Sequence, residues 1–365
     1  MKKIILLTLI LTMSLFLFVG CAQDQEPPTE DPVVENPDTE EPSDETDTEE
    51  PVDEPDNENS VKTGLAVITS VEKSKDAAEE DGVGQSDSVV VAVTVDQEGK
   101  IVKAAIDTAQ TKINFSNEGI ITSDVSEDYK SKQELGPEYG MKRASSLGRE
   151  WNEQANALAE YVVGKTLEEV KGITVDESGV PTEVDLTSSV TIKVSSYIEA
   201  IEKAMNNAQY LGAEAEDKLG LGIETTIAKS KDAGEEDGLA QAYSNYTATT
   251  FDADGVITSS IIDASQANVN FDAEGKITSD LTAPVLTKNE LGEDYGMKGV
   301  SDIGKEWNEQ ADAFSKYVVG KTIEEVTGLS VDESGHATEE DLTSSVTVGI
   351  GSFQYIIEEA EATSK

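Results

Sequence analysis

Slid against itself by 156 residues, the chain matches without a gap from Lys62 to Ala362, and about half of the aligned positions are identical. Lys73-Ser-Lys-Asp-Ala returns at Lys229, Glu150-Trp-Asn-Glu-Gln-Ala at Glu306, and Asp185-Leu-Thr-Ser-Ser-Val-Thr at Asp341. Solenoid units run about 20–50 residues, so this period is too long for one. It has the size of a domain, which predicts the same module twice. The expected division is a first repeat over 62–210, a connector over 211–217 and a second repeat over 218–363. The duplication also lets one copy be read against the other.

Ahead of the repeats lie two segments of different character. Lys2 and Lys3 precede an apolar run from Ile4 to Val19, the pattern of an export signal over residues 1–20. The run ends at Phe18-Val19-Gly20-Cys21, and Cys21 is the single cysteine. This junction resembles the lipobox of bacterial lipoproteins, which implies lipidation at Cys21 and a lipid-anchored, extracytoplasmic protein held at the bacterial cell membrane. The other reading is an uncleaved signal-anchor helix. Residues 22–60 contain 17 Asp or Glu, no Lys or Arg, and seven of the ten prolines. Like charges repel and little here can enter a core, so 21–61 is expected to be a disordered acidic tether. In a polyproline-like state it spans roughly 120 Å.

The formal net charge is −47. A polyanion of this kind is excluded from nucleic-acid binding on electrostatic grounds. High negative charge keeps a protein soluble, and it also attracts cationic partners. With one cysteine, disulfides and thiolate metal sites are excluded from the repeats.

Within a repeat, Gly64–Val71, Val89–Val95 and Ile101–Ile106 alternate or run β-branched and predict strands. The turns Asp96-Gln-Glu-Gly99, Ser116-Asn-Glu-Gly119 and Asp176-Glu-Ser-Gly179 recur in copy two, each with Gly fourth, as a type I turn closed by a left-handed glycine requires. Asp252-Ala-Asp-Gly255 is read as such a turn, since the later ligands of a calcium loop are missing. Ala144, Leu147, Trp151, Ala155, Leu158 and Val162 fall on one helical face. Gly164 stops that helix and Thr166, answered by Glu169, caps a short one; the spacing excludes a phosphate-binding Gly-Lys-Thr loop. A strand around Val190–Val194 and a helix from Ser196 to Ala208 close the repeat. The order predicts an α+β fold, two tandem homologous domains each with a mainly antiparallel sheet and packed helices.

Few residues suggest chemistry. His336 is the single histidine and is Val180 in copy one, so it is expected on a surface turn, and a Ser-His-Asp triad cannot be assembled in both repeats. The loop Lys73–Gly82, repeated at Lys229–Gly238, offers Asp76, Glu79, Glu80 and Asp81 to a hard cation; its other reading is a solvated helical turn with Asp76 as N-cap. No metal is assigned to it. The Gly-bounded loops Leu135–Lys142 and Leu291–Lys298 carry Tyr139 and Tyr295, which either stack on a planar ligand or pack.

Asp185-Leu-Thr-Ser188-Ser189-Val190-Thr191 and Asp341–Thr347 resemble the attachment motif of the FMN-binding domain family: Asp, two variable residues, Ser or Thr, Gly, Ala, Thr. The Tyr-Gly-Met-Lys and Trp-Asn-Glu-Gln-Ala segments are similar to those of surface lipoproteins with tandem FMN-binding-like domains. The resemblance implies covalent FMN on Thr191 and Thr347, with Asp185, Ser188, Asp341 and Ser344 completing the motif and Tyr139 and Tyr295 near the cofactor. It further implies a flavin transferase and a redox partner, and a non-catalytic flavin carrier in extracytoplasmic electron transfer. The motif's Gly is Ser189 and Ser345 here and its Ala is Val190 and Val346. Glycine permits φ > 0 and valine adds bulk, so both copies are expected to crowd the acceptor hydroxyl. The alternative is a ligand-binding or adhesion lipoprotein of the same fold without flavin; an enzyme working through carboxylates alone is a third reading.

Overall fold

Alternation of apolar and polar residues in each repeat produces three long antiparallel strands whose two faces are both covered. In the computed structural model, which describes residues 57–365, these are β1 (Ser60–Ser70), β2 (Gly82–Val95) and β3 (Ile101–Phe115). The expected export signal, Cys21 and most of the expected tether lie outside the described residues. After β3 come α1 (Lys132–Leu135), α2 (Trp151–Val162), α3 (Leu167–Lys171), α4 (Val184–Thr187) and α5 (Ser195–Asn206). Then β4 (Gln209–Glu214) leads into the second set: β5 (Lys218–Thr226), β6 (Gly238–Phe251) and β7 (Ile257–Phe271). The helices recur as α6 (Lys288–Leu291), α7 (Trp307–Val318), α8 (Ile323–Thr327), α9 (Glu340–Thr343) and α10 (Gly351–Thr363). The fold is mixed α/β with antiparallel sheets, ordered β3-β2-β1-β4 and β5-β6-β7. No helix among the described residues is long and apolar enough to cross a membrane.

Each sheet presents one face to its own helices. Val89, Val91, Val93 and Val95 of β2 pack with Trp151, Leu158 and Val162 of α2 and Ile201 of α5. Phe251, Ile257 and Ile262 do the same with Trp307, Phe314, Phe353 and Ile356. The terminal helices lie directly on the first strands: a Cβ on Gly64 would stand 2.1 Å from the Ala204 carbonyl oxygen, and one on Gly220 1.9 Å from that of Ala360. Glycine is required at both points because the backbones approach so closely.

The opposite faces of the two sheets pack on each other. Leu65, Val67, Val90 and Ala92 meet Leu219, Leu221, Ile223 and Tyr246, giving a helix–sheet–sheet–helix stack within one compact unit. Phe115 and Phe271, equivalent positions, stack in parallel with centroids 4.1 Å apart. Reciprocal clasps flank the stack. The Asp76 carboxylate accepts from Ile277 N (2.9 Å) and the Asp232 carboxylate from Ile121 N (2.8 Å). Ala77 N donates to Gly275 O (2.8 Å) and Ala233 N to Gly119 O (2.7 Å). Equivalent residues exchange partners, as in an isologous dimer interface.

Several expectations need correction. The acidic loop is not a helical turn capped by Asp76, whose carboxylate holds the other repeat instead. The tether assigned to 21–61 ends earlier, because Ser60 and Val61 belong to β1 and Val61 is buried. The connector assigned to 211–217 is mostly strand: β4 pairs with the outer edge of β1. No strand forms at Val190–Val194; the segment between α4 and α5 is irregular. The Trp helix begins at Trp151, and Met141–Arg143 before it is a separate 3-10 turn. The glycine-closed turns form as expected, with φ of 77° at Gly99 and 84° at Gly179. His336 is exposed on its turn beside Asp332.

Candidate functional site: a glutamine that gathers the repeated motifs

Each long helix α2 and α7 begins with a glutamate cap. Glu150 and Glu153, like Glu306 and Glu309, bond each other's backbone in a capping box. The cap also reaches the preceding loop: Glu150 accepts from Lys142 N (3.1 Å), and Glu306 from Met297 N (2.8 Å) and Lys298 N (2.9 Å). The Tyr-Gly-Met-Lys loop is thereby fixed against the helix start.

One turn further in, Gln154 is wholly buried. Its Nε2 donates to Ser145 Oγ and the Arg149 carbonyl, both at 3.3 Å, and contacts Met141 Sδ at 3.8 Å. Its Oε1 accepts from Thr191 N (2.8 Å) and Thr191 Oγ1 (3.1 Å). Gln310 repeats the arrangement: Nε2 to Ser301 Oγ and the Lys305 carbonyl, Oε1 from Thr347 N (2.8 Å) and Thr347 Oγ1 (3.2 Å). A single buried amide therefore joins the loop, the Trp helix and the threonine of each copy. A buried amide leaves no donor or acceptor without cost, so this set is tightly specified.

The two candidate threonines are half-buried, and the substitutions beside them are accommodated. Val190 and Val346, 0% and 1% exposed, are buried in the helix–sheet cores. Among the described residues no non-glycine residue has positive φ, so serine at 189 and 345 is unstrained. The remaining motif residues do not join the threonine: Asp185 and Asp341 are exposed in the first turns of α4 and α9. Ser188 Oγ donates to the Asp185 carbonyl (3.2 Å), and Ser344 is exposed at the end of α9.

Tyr139 and Tyr295 sit at the same end of each helix but present their rings to a lysine. Lys132 Nζ lies 4.8 Å from the Tyr139 ring centroid and 5.4 Å from that of Trp151. Lys288 Nζ lies 4.6 Å from each of Tyr243, Tyr295 and Trp307 and donates to Tyr243 Oη (2.8 Å). These cation–π contacts compensate part of the desolvation. Burial still lowers the Lys288 ammonium to a pKa of about 8. The lysine cages and Gln154/Gln310 went unrecognised in the sequence, although the glutamine stands within a segment that both copies retain.

Two concavities open where the repeats meet. The larger, about 720 Å³, lies between β3, α1 and α2 on one side and β5 and α10 on the other. The smaller, about 550 Å³, is its counterpart between β7, α6 and α7 and the β1–α5 side. A buried aspartate stands in each wall. Desolvation raises Asp107 to a pKa of about 7 and Asp263 to about 6, against hydrogen bonds that favour the charged form. Asp107 accepts from Gln133 N and Asp263 from Asn289 N, which fastens α1 and α6 to their strands.

Comparisons with known proteins add little to this geometry. No protein-family model matches the chain. No solved structure matches it. A curated relative, chlorophenol reductase of Desulfitobacterium hafniense, is 35% identical over 85 residues, covering 21% of this chain. The chain spans 26% of that protein's length.

Proposed function

We propose that this chain is a surface-anchored lipoprotein whose two homologous FMN-binding-like modules, 62–210 and 218–363, carry flavin in extracytoplasmic electron transfer. The observation that carries the reading is the identical setting of Thr191 and Thr347, each half-buried and held through both Oγ1 and N by a buried glutamine. Esterification replaces the Oγ1–H bond by an Oγ1–P bond; it breaks the P–O bond that joined the flavin phosphate to its activated donor, and that leaving group departs from the transferase. Among the described residues no carboxylate or histidine hydrogen-bonds to either hydroxyl, so the base that takes the proton belongs to the modifying transferase. Gln154 and Gln310 orient the acceptor: after Oγ1 is esterified, Oε1 still accepts from the threonine N–H. Bound flavin supplies the electron chemistry, and the modules need no histidine or thiol of their own. Lipid at Cys21 and the acidic tether would hold the modules away from the membrane and within reach of a donor and an acceptor.

The test is coexpression of the mature chain with a flavin transferase, followed by a denaturing gel read by flavin fluorescence. We expect two equivalents per chain, one lost in Thr191→Ala, one in Thr347→Ala, and both in the double variant. A colourless native protein with no fluorescent band overturns the reading.

The second reading is a ligand-binding or adhesion lipoprotein without flavin, and the clefts between the repeats favour it. They are concave, partly apolar and independent of both threonines.

A further inference from the structure

The two clefts are built from equivalent residues, and one of them already contains an ammonium group. In the smaller cleft Lys203, on α5, extends its side chain across β1. Its Nζ pairs with Glu290 Oε1 at 2.7 Å and donates to the Val67 carbonyl at 2.8 Å. Glu290 uses its other oxygen, Oε2, to accept from Thr287 N (2.9 Å) in the α6 capping box. The smaller cleft thus carries its own alkylammonium ligand, supplied by the chain.

In the larger cleft every partner is kept and the ammonium is gone. Glu134 stands where Glu290 does, with Oε2 accepting from Ser131 N at 2.7 Å in the same capping box. Its Oε1, the atom that takes the lysine in the other copy, has no hydrogen-bond or ion-pair partner among the described residues. Ile223 stands for Val67. Lys203 is replaced by Glu359 of α10, which faces the same space, and the two carboxylates repel: burial and then Glu134 hold the Glu359 carboxyl above its ordinary range. Other charges on the walls are Asp107 and Lys103 of β3, Glu160 of α2 and Lys365 beyond α10. Lys365 Nζ is engaged by Asn156 Oδ1 (3.1 Å), and among the described residues neither lysine pairs with Glu134 or Glu359. Apolar residues also line the cleft, among them Leu221, Ile223, Ala159 and Val163.

We propose that the larger cleft binds an aliphatic primary amine as its ammonium ion. The charged head takes the place that Lys203 Nζ holds in the other cleft, between Glu134 and the Ile223 carbonyl, with Glu359 as second carboxylate. The alkyl stem lies on Leu221 and Ile223 as the lysine stem lies across β1. A hard divalent cation fits less well, because among the described residues no three acidic side chains converge as a metal requires. The proposal does not involve Thr191 or Thr347, so it stands or falls apart from the flavin reading.

The probes are 1-butylamine, which copies the lysine side chain, and calcium chloride, titrated calorimetrically into the mature chain and into its Thr191→Ala/Thr347→Ala variant. One saturable equivalent of butylamine is expected in both proteins. Glu134→Gln should weaken binding at least tenfold, the loss of a charged hydrogen bond. Glu359→Lys should abolish it, because the new lysine occupies the site as Lys203 does. Circular dichroism checks that the variants fold. No saturable butylamine binding by the wild-type chain overturns the proposal whatever the variants do. So does binding unchanged in folded Glu134→Gln and Glu359→Lys, or calcium uptake in the cleft without amine uptake.

Discussion

The glutamine-centred sites and the clefts arise from the same duplication, yet they have fared differently. Around Gln154 and Gln310 the two copies share the loop serine, the backbone carbonyl and the threonine N and Oγ1 as partners, and Gln310 adds Val348 N (3.2 Å). Across the clefts one position has reversed its charge, Lys203 against Glu359, and with it the character of the whole cavity. A buried amide has no tolerance for a missing partner, whereas a solvent-lined wall accepts either sign. Agreement at the glutamines is required by folding whatever the threonines carry, while the clefts are free to diverge between the copies.

The comparison is most strongly tested at the shared interface. Phe115→Ala and Phe271→Ala should each cost about 3–5 kcal/mol in urea unfolding, since both rings are fully buried in one stack. The double variant should cost less than the sum, because the second ring then has no partner to lose. Unequal single effects would break the equivalence of the two halves.

Next in size is a pH effect that should differ between the copies. Asp107 and Asp263 have folded pKa values raised to about 7 and about 6, above the ordinary 3.8. The folded state therefore holds the extra proton, and these groups add stability below pH 4 that is lost as pH rises through 6 and 7. Each unit of difference corresponds to about 1.4 kcal/mol. Asp107→Asn should raise stability relative to wild type at pH 8 and leave it unchanged at pH 4, with a smaller gain for Asp263→Asn. Chemical denaturation at the two pH values measures both.

Gln154→Ala and Gln310→Ala should each cost about 2 kcal/mol, equal within measurement, because each strands the threonine N–H and loses the loop contacts. The smallest effect is expected at the clasps. Asp232→Ala should cost about 1 kcal/mol. Asp76→Ala should cost slightly more, since Asp76 also pairs with Lys276 (3.5 Å), whose equivalent in copy one is Ile120. Thermal melts with added calcium should leave both unchanged.

The strands and capped helices of each repeat were legible because their signals are local. Alternation marked most of β1 but only Val89–Val95 of β2 and Ile101–Ile106 of β3, and Thr166 with Glu169 marked α3, where the structure has the expected capping box. The supposed strand at Val190–Val194 shows what local signals omit. Val190, Ile192 and Val194 are buried and Thr191 and Lys193 are not, so the alternation is real. No strand ladder forms there, and the Thr191 N–H goes to a side-chain amide instead. Gln154 was hidden for a related reason: a polar residue beside an apolar helical stripe reads as surface until the segment it binds, 37 positions later, is folded against it. The acidic loop failed by distance too, since its partner at Ile277 lies 201 residues away.

The clasps and the phenylalanine stack carry one more implication. A symmetric interface between separate subunits dissociates on dilution, and its melting point moves with concentration. Here β4 carries the chain from one repeat into the next, so each face meets its partner at a fixed local concentration set by a few residues of strand. The association has become a unimolecular step, insensitive to how dilute the protein is.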